Sequence, residues 1–206
     1  MQSRPTIVVL AAGKGSRFNG PAHKLEQGLG DLSVLDNTLR NAIESRLPVV
    51  VVVTQALAAG ATRIVAARDV VVVPQALAAL GMGHSIAAGV AARADAPGWL
   101  LLPGDMPMIK PATLLAVAAA LGQHPVAYAQ HQGRRGHPVG FAAELYSELM
   151  MLSGDEGARR LIARYPAIGV DVDDPGVLLD LDTEADLVAM RALHAAAPPR
   201  PAAGKA

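Results

Sequence analysis

Short apolar runs recur along the chain, and most of them are continuous rather than alternating with polar residues. Continuous runs of Val, Ile and Leu are typical of parallel strands that are covered on both faces. They predict strands at Ile7–Leu10, Val49–Thr54, Val70–Pro74, Trp99–Pro103, Val126–Gln130, Val139–Ala142, Ile168–Val172 and Val177–Leu181.

Helix-like stretches separate these runs. They predict helices at Ser33–Ser45, Ser85–Ala94, Pro111–Leu121, Glu144–Leu152, Gly157–Arg164 and Thr183–His194. Because strands and helices alternate from the start, the favoured fold is α/β, a Rossmann-like and mainly parallel sheet with helices on both faces. The segment HQGRRGHP joins two strand-like runs and predicts a short hairpin, which adds a small antiparallel element.

The chain of 206 residues is long enough for one domain that buries roughly 70% of its unfolded surface. The sequence contains no internal repeat and no linker long enough to separate two domains. We therefore expect a single domain over residues 1–197, followed by a disordered Pro- and Ala-rich tail over residues 198–206.

Composition narrows the class of partner. The apolar runs are much shorter than the ~20 residues that span a bilayer, and no signal-peptide pattern opens the sequence, so we expect a cytoplasmic protein without a membrane partner. Eighteen basic residues balance eighteen acidic ones and aromatic content is 3%, which disfavours a nucleic-acid partner. The absence of Cys excludes disulfides and thiolate metal sites. These features together favour a small-molecule partner.

The first apolar run breaks into a Gly-rich loop, VVLAAGKGSRFNGPAHK, from Val8 to Lys24. Gly13 and Gly15 allow close approach of the backbone, so that N–H groups can point at an anion. The loop matches neither the dinucleotide-binding fingerprint nor the P-loop, because Phe18 replaces the third Gly of the former and no Lys-Ser/Thr pair follows as in the latter.

Two interpretations of this loop remain. Arg17 and Lys24 are suited to hold phosphate oxygens as mobile cations. Alternatively, the loop is an ordinary strand-to-helix turn with solvated basic residues.

Two acidic segments are candidates for a metal site. Asp105 follows the apolar run Trp99–Leu102, at the carboxyl end of a predicted strand, where ligands of open α/β sheets collect. Beside a triphosphate, such a carboxylate suits Mg²⁺, although a capping or turn role before Pro107 is the alternative. Asp180 and Asp182 face the same side of an extended chain, so one could reach the metal while the other serves the turn.

Six motifs in order resemble a known family. LAAGKGSRF…HKL resembles the LAAGxGxRMG…K signature of nucleotidyltransferases with a Rossmann-like GT-A fold. The others are GMGHSIAAG at Gly81–Gly89, LLPGDMPMI at Leu101–Ile109, GHPVGF at Gly136–Phe141, GDEGARRLI at Gly154–Ile162 and LDLDTEADL at Leu179–Leu187. From about residue 6 to about residue 190, the chain resembles the molybdenum-cofactor nucleotidyltransferases, and the cytidylyltransferase branch more than the guanylyltransferase branch.

The resemblance implies roles for particular residues. It implies catalytic roles for Arg17, Lys24 and Asp105, and Mg²⁺ held by Asp105 and Asp180, with Asp180 slightly ahead of Asp182. The implied acceptor-binding residues are Arg134, His137, Pro138 and Asp155, although a solvated hairpin tip or a capping role would also explain Arg134 and Asp155. The implied nucleotide-binding residues are Leu10, Ala11, Ala12, Gly13, Lys14, Gly15, Gln75, Gly81, Gly83 and Ser85.

The expected reaction is transfer of CMP from CTP to the terminal phosphate of a molybdopterin-type cofactor, with release of pyrophosphate and a molybdoenzyme as a later partner. Such a phosphate is largely ionised at neutral pH, because its second pKa is about 6, so no general base is required. The alternatives are transfer from GTP or another nucleotide to a pterin or sugar phosphate, and a non-catalytic chaperone that binds nucleotide or molybdenum cofactor.

Two departures from the family pattern concern the loop. Lys24 follows Arg17 by seven residues, where the family usually has about five. The longer spacing leaves open whether Lys24 contacts the phosphates. The segment after the loop has Ser33, Val34 and Leu35 where the family has Pro-Leu-Leu.

Overall fold

Runs of Val and Leu form the centre of the molecule. The computed structural model describes residues 4–15, 18, 22–154 and 158–196. Its strands are β1 (Thr6–Ala11), β2 (Gly28–Leu29), β3 (Leu32–Ser33), β4 (Val49–Val53), β5 (Val70–Val72), β6 (Gly98–Pro103), β7 (Val126–His131), β8 (Arg134–Ala142) and β9 (Ala167–Asp171).

Helices connect most of these strands. The α-helices are α1 (Val34–Glu44), α2 (Gln55–Ala61), α3 (Gln75–Ala78), α4 (Met82–Ala91), α5 (Pro111–Ala120), α6 (Tyr146–Met150), α7 (Arg159–Arg164) and α8 (Glu184–Ala196). Short 3-10 helices lie at Lys24–Glu26, Ala67–Asp69, Ala143–Leu145 and Pro175–Leu178. None of the described helices combines the length and apolar composition that crossing a bilayer requires.

Seven strands form the main sheet in the order β5-β4-β1-β6-β8-β7-β9, while β2 and β3 form a separate antiparallel pair. All neighbours in the main sheet are parallel except β8, which runs antiparallel to β6 and β7. Because β8 runs the opposite way, its first residues lie at the same edge of the sheet as the carboxyl ends of β1 and β6. This edge is where ligands of such sheets collect.

Alternate side chains of the central strands serve two separate cores. Ile7 and Val9 pack with α1, α2, α5 and α8 on one face of the sheet. Val8, Val50 and Val52 pack with α4, α6 and α7 on the other face. Both faces are therefore covered, which explains why the strand sequences are continuously apolar.

Helix α1 carries buried polar groups that hold the loop after β6. Its start is fixed by a capping box, in which Ser33 Oγ accepts from Asp36 N at 3.1 Å and Asp36 Oδ2 accepts from Ser33 N at 3.4 Å. One turn and more along the helix, Thr38 Oγ1 donates to the Gly104 carbonyl at 2.9 Å and Asn41 Nδ2 donates to the Pro107 carbonyl at 2.8 Å. These bonds fix the backbone on both sides of Asp105.

A second buried polar group anchors residues 174–182, which we call the strap. The Asp174 side chain, which is 2% exposed, accepts from Lys110 N at 2.8 Å, from Thr113 Oγ1 at 2.6 Å and from Gly176 N at 3.1 Å. Further along the strap, Leu181 N donates to the Asp105 carbonyl at 3.1 Å. The strap is thereby held against the loop between β6 and α5.

The structure confirms the predicted fold, with its mainly parallel sheet, its helices on both faces and its hairpin between β7 and β8. The predicted strand Val177–Leu181 is wrong. Asp174 caps a 3-10 helix with Pro175 as its first residue, and Val177 and Leu181 are fully buried without any strand pairing. The run is apolar because it is buried, and a buried segment without strand pairing has the same sequence pattern as a buried strand.

Several boundaries also differ. β8 begins at Arg134 rather than Val139, β5 ends at Val72 rather than Pro74, and Glu144–Leu152 is a 3-10 turn followed by the short α6. The sequence patterns did not predict α2 or the β2–β3 pair. The predicted tail, 198–206, lies outside the described residues, and the single domain over 1–197 stays a prediction.

We expect Asp174→Ala to destabilise the protein strongly, because three donors would lose their buried acceptor. Each unsatisfied buried donor costs about 1–3 kcal/mol, so a total of about 3 kcal/mol is expected. Thermal unfolding should then show a fall in Tm of about 6–12 °C. The neighbouring variant Asp173→Ala, at an exposed side chain, is the control and should stay within about 0.5 kcal/mol of wild type. Similar stabilities for the two variants would contradict the anchoring role.

Candidate active site

A cavity of about 670 Å³ opens at the edge of the sheet where β1 and β6 end and β8 begins. Its walls include the loop after β1, the start of α4, the loop after β6, the first residues of β8, Arg159 of α7 and the strap. The sequence elements that carry the predicted site residues therefore meet at one place, although they are separated by up to about 170 positions along the chain.

The Gly-rich loop forms one wall of the cavity. Its lining includes the loop residues that were predicted to bind nucleotide, Leu10, Ala11, Ala12, Gly13, Lys14 and Gly15. Gly13 and Lys14 are exposed to it. Gly15 has a φ of +60°, a left-handed conformation that favours glycine. His23 Nε2 lies 3.0 Å from the Gly13 carbonyl oxygen and ties the loop to the segment that follows it. Arg17 lies outside the described residues.

Lys24 points into the carboxylates rather than along the loop. Its Nζ donates to Asp105 Oδ2 at 2.6 Å and to the Leu181 carbonyl at 2.8 Å, and it lies 3.3 Å from Asp182 Oδ1. Lys24 therefore lies at the centre of the site, where its side chain is only 13% exposed.

Asp105, Asp180 and Asp182 form what we call the carboxylate cradle, and all three line the cavity. Desolvation raises the pKa of Asp180 above its ordinary value of 3.8, and the charges of Asp182 and Asp105 act in the same direction. Asp105 Oδ1 is buried and has no hydrogen-bond partner among the described residues. The cradle therefore carries more negative charge than Lys24 alone satisfies.

The cradle fits a divalent cation that also binds phosphates. No group of three His, Asp or Glu side chains among the described residues forms a metal cage by itself. Mg²⁺ usually takes only one or two carboxylates from the protein and completes its shell with waters and substrate phosphates. The unpaired Asp105 oxygen, together with Asp180 or Asp182, is a donor set of this kind.

The first residues of β8, together with one residue of α7, form a basic surface of the cavity that we call the basic wall. Arg134, Arg135 and His137 line the cavity together with Arg159 from α7, a residue that the sequence reasoning did not select. The GDEGAR motif was the available signal, but it was interpreted through its acidic residues. Pro138 is buried behind this wall, and Asp155 lies outside the described residues.

His137 is a half-buried imidazole at this wall. Burial lowers its pKa below 6.5, against the opposing effects of the Asp105 charge and a hydrogen bond with the backbone of Leu101. Its Nδ1 has no hydrogen-bond partner among the described residues. The lowered pKa favours the neutral form of the ring.

The segment at the start of α4 only partly matches the prediction. Gly81 and Ser85 line the cavity, but α4 begins at Met82 rather than near Ser85. Gly83 packs against backbone instead, since a Cβ there would lie 2.6 Å from Ser153 N. Gln75 is the exposed first residue of α3 and is not among the residues that line the cavity.

The chain is similar in sequence to one family of known domains and to several characterised proteins. Residues 7–168 match the family described as MobA-like NTP transferase domain. Purine catabolism protein PucB of Bacillus subtilis is 31% identical over 196 residues, which cover 88% of this chain and 94% of that protein. Bifunctional protein GlmU of Alkalilimnicola ehrlichii is 38% identical over 123 residues, 58% of this chain but only 26% of that protein. The chain thus spans about a quarter of the GlmU relatives that it matches.

Solved structures share the fold. Rv0371c of Mycobacterium tuberculosis has a TM-score of 0.77 at 29% identity, over 92% of this chain and 99% of that one. Its manganese complex has a TM-score of 0.74 at 27% identity, over the same shares of the two chains. Molybdopterin-guanine dinucleotide biosynthesis protein A of Archaeoglobus fulgidus has a TM-score of 0.70 at 17% identity, over 92% of this chain and 98% of that one, which shows the fold alone. The predicted resemblance to nucleotidyltransferases is confirmed at the level of family and fold.

We expect Asp180→Asn to stabilise the protein without ligands at neutral pH, because it removes a charge that desolvation and two neighbouring carboxylates oppose. Solvent screening keeps the gain small, about 0.5 kcal/mol or 1–2 °C in Tm. Since the pKa is raised in the folded state, the difference from wild type should be full at pH 7 and vanish below pH 3.8, where Asp180 is protonated in both states.

Thermal unfolding across this pH range checks the expectation. Asp95→Asn removes the same charge at an exposed position outside the cavity lining and is the matched control, for which no gain is expected. A lower Tm for Asp180→Asn at pH 7 would show that the Asp180 charge is held favourably and would contradict this description of the cradle.

Proposed function

The chain belongs to the family of MobA-like NTP transferase domains, and on this premise we propose that it transfers CMP from CTP to the phosphate of a molybdopterin-type cofactor and releases pyrophosphate. One observation carries the proposal. The Gly-rich loop, the cradle of Asp105, Asp180 and Asp182, and a wall of arginines all face one cavity. A negatively charged substrate pair with a cation between them would use all three surfaces.

The nucleotide would lie on the loop side of the cavity. Backbone N–H groups of Gly13 to Gly15 suit the triphosphate oxygens, as does the exposed Lys14. Arg17 is proposed to add a bidentate contact and Lys24 a point charge. Gly81 and Ser85 lie where the base and ribose would meet the start of α4.

Asp105 would hold Mg²⁺ together with Asp180 or Asp182. When bound, the ion would neutralise charge on the triphosphate and on the departing pyrophosphate. The orphaned Asp105 oxygen supports this assignment, and so does the existence of a manganese complex of the Rv0371c relative.

In this reaction the protein mainly has to position the two phosphates and to stabilise negative charge. An oxygen of the acceptor phosphate attacks the α-phosphorus of CTP, a new P–O bond forms, and the bond to the β-phosphate oxygen breaks to release pyrophosphate. The attacking oxygen is already ionised at neutral pH, so no side chain has to remove a proton. Catalysis then rests on aligned phosphates and on Arg17 and Lys24 near the developing charge.

The acceptor would enter along the basic wall. Arg134 and Arg159 suit a phosphate monoester, and His137, which lines the same cavity, is proposed to contact a heterocycle such as a pterin. The molybdopterin acceptor is favoured because the sequence motifs resemble the molybdenum-cofactor branch. A molybdoenzyme that receives the finished cofactor is then the proposed downstream partner.

Pyrophosphate release measured with each of the four nucleoside triphosphates tests the proposal. Release confined to CTP with molybdopterin and a divalent ion is the expected result. Release with GTP, or with a sugar phosphate in place of molybdopterin, would correct the substrate. Tight binding of nucleotide and cofactor without any release would contradict the enzyme and indicate a chaperone.

The same assay locates the reaction in the cavity. Asp105→Asn should lower kcat by about 10²–10³, because the cradle would lose its central charge, and Arg17→Ala should cost a similar factor. Asp95→Asn, outside the cavity lining, is the control and should keep full turnover. Turnover of either site variant within a few-fold of wild type would overturn the assignment.

A further inference from the structure

The Lys24 ammonium is held as a bound cation would be. It contacts Asp105 Oδ2, the Leu181 carbonyl oxygen and Asp182 Oδ1, at 2.6, 2.8 and 3.3 Å. An ammonium has three donors, so these three oxygens engage its full capacity. The partners come from two segments far apart in sequence, and the side chain is largely shielded from solvent.

These oxygens are also the groups that a hard divalent ion would use. Carboxylate and carbonyl oxygens are preferred ligands of Mg²⁺ and Mn²⁺. A divalent ion bound to the same Asp105 and Asp182 carboxylates would face the ammonium at close range. Like charges repel strongly where water is partly excluded, so the ammonium and the ion compete for the cradle.

The Lys24 stem also contacts the loop that is proposed to hold the triphosphate. A Cβ placed on Gly15 would lie 3.1 Å from Lys24 Cγ, so a side chain at this position would crowd the stem. His23, the preceding residue, lies against the Gly13 carbonyl. A triphosphate on this loop would therefore offer new acceptor oxygens directly beside a flexible four-carbon stem.

We propose that Lys24 is a tethered counter-ion that keeps free divalent metal out of the carboxylate cradle until nucleotide arrives. This inference rests on the proposed function, since it gives the order in which metal and nucleotide enter the same site. Without nucleotide, the ammonium is bonded to Asp105 and Asp182 and offsets part of their negative charge. With nucleotide, the phosphates attract the ammonium, and the cradle becomes free to share the metal that the triphosphate carries.

Mn²⁺ binding to the nucleotide-free protein tests this order, measured by the loss of the free-ion electron paramagnetic resonance signal. Lys24→Met keeps the length of the stem and removes the charge. We expect it to bind Mn²⁺ at least about tenfold more tightly than wild type, because a repelling charge at contact distance is gone. Equal or weaker binding by Lys24→Met would overturn the proposal.

Three further variants locate the effect. Lys24→Arg keeps the charge and should bind Mn²⁺ as weakly as wild type. Lys110→Met removes the same charge from a lysine that donates to the Asp173 carbonyl outside the cradle, and it should leave binding unchanged. Asp105→Asn added to Lys24→Met should abolish the gain. A gain that survives without the Asp105 carboxylate would place the ion elsewhere and overturn the proposal.

A second measurement controls for loss of stability in Lys24→Met, which lacks the Lys24 charge. Mn²⁺ should raise the Tm of this variant more than that of wild type, and equal shifts would overturn the proposal. These results are independent of pyrophosphate release. If the wild-type protein releases pyrophosphate but Lys24→Met binds Mn²⁺ no more tightly than wild type, only the counter-ion role is contradicted. If the Mn²⁺ affinities are as expected but the wild-type protein releases no pyrophosphate, only the proposed function is contradicted.

Discussion

The site depends on one ammonium group that holds together carboxylates from distant parts of the chain. Lys24 binds Asp105 from the loop after β6 and Asp182 from the strap, and the strap is bonded to the same loop through Leu181 and Asp105 backbone atoms. Removing this charge would leave acidic groups facing one another in a shielded place. Desolvation and, to a smaller extent, the charges of Asp182 and Asp105 raise the pKa of Asp180 even with Lys24 present. A site in this condition is prepared for additional positive charge, which a metal–nucleotide complex would supply.

Three buried polar side chains hold the segments that carry this charged site. Thr38 and Asn41 hold the backbone around Asp105, and Asp174 holds the beginning of the strap. Each of them is almost fully buried and bonded to backbone groups, so they satisfy peptide groups that turns would otherwise leave unpaired.

The sheet could be predicted because its strands are covered on both faces and therefore carry continuous apolar runs. The place of Asp105 followed from the same reasoning, since it comes directly after such a strand. The partners of Lys24 could not, because they lie 81 and more positions away and depend on how the strap folds back. Val177–Leu181 was mistaken for a strand because burial, and not pairing, makes it apolar. Arg159 was missed because only tertiary packing of α7 brings it to the cavity.

We propose that the Gly-rich loop, the carboxylate cradle and the basic wall form one site. In this site a metal-bound triphosphate takes the place of the Lys24 ammonium. A crystal structure with Mn²⁺ and a non-hydrolysable CTP analogue tests it most directly, with the ion located by anomalous scattering. We expect one Mn²⁺ peak between Asp105, Asp180 or Asp182 and the phosphates, with Lys24 Nζ moved from Asp105 to a phosphate oxygen. A Mn²⁺ peak away from these carboxylates, with Lys24 still bound to Asp105, would contradict it.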